Sequence, residues 1–96
     1  MQDGNYDGAV EAFRISFKLA PLRLQDDYKK MLGMAYGVRG IDKGKRGYLS
    51  SAISDLETCL RLMPKDGDQK NFEEPLAILY VARAAGNEKS EIGLAQ

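Results

Sequence analysis

YDGAVEAFRISFKLAP, residues 6–21, and YLSSAISDLETCLRLMP, residues 48–64, carry the same spacing of small, apolar and proline residues. The matched positions are Ala9, Phe13, Phe17, Leu19 and Pro21 in the first stretch and Ala52, Leu56, Leu60, Leu62 and Pro64 in the second. An internal repeat indicates supersecondary units that bury their apolar faces only when neighbouring units stack on them. The repeat therefore constrains the fold and the available binding surfaces together.

The composition is typical of one small globular domain. The chain has 96 residues, of which 44% are hydrophobic and 29% are charged. Lys and Arg (14) balance Asp and Glu (14), so no net charge draws the chain toward nucleic acid or an acidic membrane. No run approaches the roughly 18 apolar residues of a membrane span, and residues 1–10 lack the features of a secretory signal. We expect a cytoplasmic protein that binds neither membrane nor nucleic acid.

The residue types that carry most enzyme chemistry are scarce. There is one cysteine, Cys59, and no histidine, which excludes an intramolecular disulfide, imidazole catalysis and a closed zinc site of Cys and His. Cys59 lies on an apolar stripe, where a buried inert thiol is expected rather than a nucleophile. Asp66 and Asp68 lack the further oxygen ligands of a calcium loop. We expect no enzymatic activity, no metal and no cofactor.

Apolar residues recur at steps of three and four, which predicts an all-α fold. The predicted helices run from Tyr6 to Ala20, from about Asp27 to Arg39 with Asp26 as N-cap, from Leu49 to Met63 and from about Phe72 to Ala85. Proline ends the first and third helices, and Pro75 is expected in the first turn of the fourth. The glycines of GIDKGKRG, residues 40–47, predict a loop, and residues 87–96 predict a short C-terminal helix.

The second helix carries Leu32, Gly33 and Tyr36, and the helices on either side of it each carry an alanine, then Phe or Leu, then a proline. This combination resembles the tetratricopeptide repeat. The resemblance implies antiparallel helix pairs stacked as a short right-handed superhelix, in one domain over residues 1–96. In that frame residues 5–21 are the second helix of an incomplete first repeat. Residues 26–64 are a complete pair with the long loop 40–47, and residues 71–96 are an incomplete third repeat. The chain departs from the family at Lys29, where an aromatic residue is common, and in the length of that loop. A generic four-helix bundle is the alternative.

The resemblance implies a protein–protein interaction scaffold, because the first helices of such pairs line a groove. Met34 stands where the family's clamp for acidic chaperone tails carries an Asn, so an apolar helix, a peptide or a second copy of the chain is the expected ligand. The residues predicted to bind it are Lys30, Met31, Met34, Val38, Ile78, Val81 and Ala82.

The incomplete outer repeats suggest a second function, that of a small helical assembly subunit. Such a subunit is an obligate homo-oligomer, for example a homodimer, with no separate ligand. Membership of a larger chain or complex is also open. The residues predicted for self-association are Phe13, Phe17, Leu79 and Tyr80. A weaker prediction is an anion contact in the basic loop, through Arg39, Lys43, Lys45 and Arg46.

Overall fold

The secondary structure consists of helices joined by short connections over residues 5–65 and 67–88, the part of the chain that the computed structural model describes. The four α-helices are α1 (Tyr6–Leu19), α2 (Gln25–Lys45), α3 (Leu49–Leu62) and α4 (Lys70–Ala84). Short 3-10 turns at Leu22–Leu24 and Gly67–Gln69 precede α2 and α4. The predicted all-α class is confirmed.

The helices stack in the order of the sequence. Helix α2 packs against α1 on one side and against α3 on the other, and α4 packs mainly on α3 with a smaller contact to α2. The resulting molecule is elongated, measuring 46 × 29 × 20 Å along its principal axes. Helices α1 and α4 therefore lie at the two outer positions of the stack.

The core is centred on α3, which lies between α2 and α4. The side chains of Ala52, Leu56 and Cys59 are completely buried, whereas Val10 is the buried residue that α1 provides. Burying a leucine stabilises the fold by roughly 2 to 3 kcal/mol. The buried cluster consists of Leu49, Ala52, Ile53, Leu56, Cys59, Met63, Phe72 and Leu79.

The predicted loop at residues 40–47 is wrong, because α2 continues to Lys45. The glycines of α2 are contact points: a Cβ atom at Gly37 would overlap the Phe72 ring, and one at Gly40 would lie 3.0 Å from the Ala52 carbonyl oxygen. A glycine inside a helix costs about 1 kcal/mol relative to alanine. Close packing of α3 and α4 on α2 offsets that cost. Helix propensity depends on local sequence alone and does not predict such packing.

The connection between α2 and α3 comprises only the three residues from Arg46 to Tyr48. The Tyr48 N–H donates to the Lys43 carbonyl at 3.0 Å, and the Gly47 N–H donates to the Gly44 carbonyl at 3.0 Å. With Gly47 at a φ of 93°, this is the Schellman arrangement that ends many helices. The residues that lengthen this region relative to the tetratricopeptide pattern thus extend the helix.

The other helix boundaries agree with the prediction to different degrees. Helix α3 matches to within one residue at its end. Helix α2 begins at Gln25, so Asp26 lies in its first turn and Leu24 occupies the N-cap position. Helix α4 begins at Lys70, which places Pro75 in its second turn and not its first. The predicted C-terminal helix falls largely on residues 89–96, outside the described part, and residues 87–88 are not helical.

A candidate helix-binding surface

An apolar groove of about 370 Å³ opens between α1 and α2. The side chains of Met31, Met34 and Val38 keep 46%, 44% and 42% of their surface exposed there. Exposed apolar side chains gathered in a concave site are typical of ligand and protein interfaces. We call this site the α1–α2 groove, and its lining residues are Tyr6, Ala9, Phe13, Met31, Met34, Ala35 and Val38.

Helix α2 presents a second apolar side in addition to the one it buries. Its buried glycines Gly33, Gly37 and Gly40 lie on the side that contacts α3 and α4. Met31, Met34 and Val38 recur at steps of three and four, which places them along another stripe of the same helix. That stripe has α1 on one flank and no helix of the described chain over it.

Two smaller concavities continue from the groove toward α4. The first, of about 150 Å³, shares Tyr6 and Val38 with the α1–α2 groove and adds Ile41 and Lys45. The second, of about 260 Å³, again contains Ile41 and Lys45 and reaches Ile78 on α4. The open surface therefore runs across α2 from α1 to α4, and the charged residues Asp42 and Lys45 lie between the apolar parts at its two ends.

Helix α4 carries an exposed apolar surface of its own. Ile78 and Val81 are 61% and 71% exposed, and alanines flank them. Hydrophobic side chains this exposed next to one another mark a contact surface more often than an ordinary solvated face. We call this surface the α4 face, and it is formed by Ala77, Ile78, Val81, Ala82, Ala85 and Asn87.

The structure divides the predicted binding residues between these two surfaces. Met31, Met34 and Val38 lie in the α1–α2 groove, whereas Ile78, Val81 and Ala82 belong to the α4 face. Lys30 lines neither surface, and its ammonium group lies 2.9 Å from the Asp68 carboxylate. Tyr6 and Ala9, which complete the α1 side of the groove, were missed. Ala9 belongs to the internal repeat, and this position was the sequence signal that could have placed its side of α1 at the groove.

The residues predicted for self-association are also separated. Phe13 lines the α1–α2 groove and Phe17 is half-buried on α1. Leu79 is only 7% exposed and packs where Gly44 leaves room, so its assignment to an exposed contact was wrong. The Tyr80 hydroxyl donates to the Glu57 carboxylate, and this bond raises the pKa of Tyr80.

Carboxylates of the protein already pair with three of the four basic residues predicted for an anion contact. Arg39 donates to both oxygens of the buried Asp55 carboxylate, at 2.8 and 2.9 Å, and Lys43 lies 3.2 Å from it. The hydrogen bonds to Asp55 raise the pKa of Arg39. Arg46 lies 2.8 Å from Asp42. Lys45 is exposed and lines the two smaller concavities beside the groove.

This buried ion pair joins three helices. Asp55 lies on α3, Arg39 and Lys43 lie on α2, and a further nitrogen of Arg39 is 3.0 Å from Asp7 of α1. A carboxylate with 7% of its side chain exposed needs such partners, because an unpaired buried charge is costly. The cluster joins α2 to α3 through the buried Asp55, and it reaches α1 only through the exposed Asp7.

Chemically reactive groups are scarce in the described residues. Cys59 is fully buried, and burial raises the pKa of its thiol to about 11, so the nucleophilic thiolate is rare near neutral pH. Across residues 5–65 and 67–88, no cluster of Cys, Asp or Glu side chains is arranged to hold a metal ion. Within the same residues, no helix combines the length and apolarity needed to cross a membrane.

The fold and these surfaces define a small all-helical protein with an open apolar groove. No protein-family model matches the chain, and neither a curated protein nor a solved structure shows significant similarity to it. The tetratricopeptide resemblance therefore stays a prediction.

Proposed function

We propose that this chain is a protein–protein interaction module that binds an apolar α-helix in the α1–α2 groove. The observation that carries the proposal is the groove itself, whose lining, among the residues that the structure describes, is apolar on both helices and contains no charged residue. An amphipathic helix laid into such a groove buries residues at positions i, i+3, i+4 and i+7. Met31 and Met34 suit this role, because flexible thioether side chains adapt to the shape of a partner.

We further propose that the helices form a short tetratricopeptide-like right-handed superhelix. Their stacking in sequence order supports this arrangement over a bundle around one axis, in which the outer helices would also pack on each other. The three-residue turn between α2 and α3 supports it as well, because such repeats are built from closely connected antiparallel helices.

The assembly-subunit function remains the second candidate. The observation in its favour is the α4 face, where Ile78 and Val81 are mostly exposed. An exposed apolar face on a small domain is commonly covered in an oligomer.

A selection experiment tests the groove. A displayed library of amphipathic helices is selected against the immobilised chain, and the affinities of the recovered helices are measured for wild type, Met34→Glu and Leu22→Glu. Leu22 is a matched control, since it is 85% exposed and lies outside the groove. A buried carboxylate opposes apolar docking, so we expect at least a roughly tenfold loss for Met34→Glu and none for Leu22→Glu. Failure to recover helices, or equal affinity for the two variants, contradicts the proposal.

A further inference from the structure

The internal repeat makes α1 the counterpart of α3, and the two differ in what covers the same side. In α3, Ala52 and Leu56 are fully buried against α2, and a Cβ atom at Gly40 would lie 3.0 Å from an atom of each. Their counterparts in α1, Ala9 and Phe13, line the open α1–α2 groove. The side that α3 turns toward α2 is thus the side that α1 leaves uncovered.

The same comparison applies to α2 and α4. When α4 is aligned with α2, its Leu76, Ala77 and Tyr80 match Leu32, Gly33 and Tyr36. The same alignment pairs Val81 with Gly37 and Ala84 with Gly40. In α2, Gly33 and Gly40 meet α3, and Gly37 meets both Cys59 of α3 and Phe72 of α4. In α4, the matching Ala77, Val81 and Ala84 are all exposed. The side that α2 turns toward α3 is therefore the side that α4 leaves uncovered.

We propose that α4 of a second copy of this chain occupies the α1–α2 groove, so that copies associate head to tail. This inference rests on the proposed function, because it names the helix that the groove binds. The contact repeats the one between α2 and α3 within the chain: a helix with small residues packs against the Ala9 and Phe13 side of α1. Small residues such as Ala77 and Ala84 allow the two helix backbones to approach closely.

A head-to-tail contact covers both open surfaces, and this distinguishes it from a symmetric pair. Pairing of two α4 faces would bury Ile78 and Val81 but leave the α1–α2 groove open. In the proposed contact, each copy offers its α4 face to one neighbour and its groove to another. Such a contact joins two different surfaces, so an open assembly keeps a free groove at one end and a free α4 face at the other. The assembly therefore grows with concentration unless its two ends meet and close a ring.

Two single variants and their mixture test this geometry. Met34→Glu blocks the groove and Val81→Glu blocks the α4 face, and both residues are exposed, so folding is expected to persist and is checked by circular dichroism. Sedimentation velocity is recorded for wild type, each variant, an equimolar mixture and Leu22→Glu. We expect the wild-type mass to rise with concentration and each variant to associate at least tenfold more weakly. The mixture should form a dimer, because it retains one intact groove and one intact α4 face. Leu22→Glu should assemble like wild type.

Three results overturn the inference. They are a Met34→Glu variant that associates as strongly as wild type, as pairing of two α4 faces requires, a mixture that stays monomeric, and a wild type that stays monomeric at millimolar concentration, as expected if residues 89–96 cover the α4 face. If the chain is monomeric yet binds selected helices in a manner sensitive to Met34→Glu, the self-association is wrong and the proposed function stands. If selected helices do not bind and the mixture also stays monomeric, both are wrong.

Discussion

Helices α1 and α3 carry the same spacing of residues, yet one is enclosed and the other has an open side. Helix α3 packs between α2 and α4, whereas the substantial packing of α1 is on α2 alone. Leu56 is fully buried in α3, and its counterpart Phe13 lines an open groove. Position in the stack, and not the residue pattern, therefore decides whether an apolar face becomes core or a binding surface.

The largest expected difference between the two helices concerns their matched core positions. Leu56→Ala should lower the free energy of unfolding by about 2 to 5 kcal/mol, because it leaves a cavity among fully buried side chains. Phe13→Ala should lower the free energy of unfolding by about 1 kcal/mol in dilute solution, since Phe13 is already half-exposed. Urea unfolding measures both values. Equal losses would mean that α1 is as enclosed as α3.

The ion pairs offer a second comparison, between the carboxylates that Arg39 contacts on α3 and on α1. Asp55→Ala leaves Arg39 and Lys43 without their buried partner and should cost about 2 kcal/mol, less than a fully buried pair because both cations keep some solvent contact. Asp7 is 83% exposed, so Asp7→Ala should cost less than about 0.5 kcal/mol. Thermal unfolding at neutral pH measures both changes. A large loss for Asp7→Ala would show that its ion pair is what holds α1 in place.

Glycine substitutions should change stability in opposite directions in the enclosed and open regions. In Gly37→Ala the new Cβ would meet the Phe72 ring and the Cys59 sulfur, and overpacking should destabilise the fold by about 1 kcal/mol or more despite better helix propensity. In Gly8→Ala on α1 the atoms nearest to the new Cβ belong to the Asn5 side chain, which is exposed to solvent and has room to shift, so a gain of up to about 1 kcal/mol is expected. Midpoints of chemical denaturation give both signs. Stabilisation by Gly37→Ala contradicts the close approach at that site.

The smallest expected effect is at the start of α3, where Glu88 acts as a cap from outside the helix. The Ser50 Oγ and N–H donate to the Glu88 carboxylate at 2.8 and 2.9 Å, and the hydroxyl bond, followed by the backbone bond, lowers the pKa of Glu88. A folded pKa below the unfolded one means that the contact stabilises the fold at neutral pH. Its contribution is lost as the pH falls through the folded pKa.

Carboxyl titration by NMR tests that contact. Ser50→Ala should raise the pKa of Glu88 toward its usual value, whereas Ser54→Ala, one turn further along α3, should leave it unchanged. A Glu88 pKa that does not respond to Ser50→Ala rules out the contact in solution.

Local signals predicted those parts of the fold that depend on neighbouring residues. Pro21 and Pro64 mark where α1 and α3 end, and the period of three and four gives the length of each. The continuation of α2 through Gly40 and Gly44 escaped prediction, because it depends on close contacts with Ala52 and Leu79, which are distant in the sequence.

The candidate site shows the same division. The open stripe of Met31, Met34 and Val38 follows from helix periodicity and was predicted. Leu79 is buried in the core and Arg39 pairs with Asp55, and both outcomes depend on contacts between residues that are distant in the sequence. No local signal marked this pairing, because Ile53 and Leu56 form an uninterrupted i, i+3 step and Asp55 lies beside the apolar stripe of α3, not within it.

The most direct test of the account is amide hydrogen exchange of α1, α3 and α4 in wild-type protein at low and at high concentration. We expect α1 to exchange faster than α3 in dilute protein, because its groove side is open. We also expect the protection of α1 and α4 to rise with concentration while that of α3 stays unchanged. Protection of α1 equal to that of α3 in dilute solution, or protection of α1 and α4 that does not depend on concentration, would contradict it.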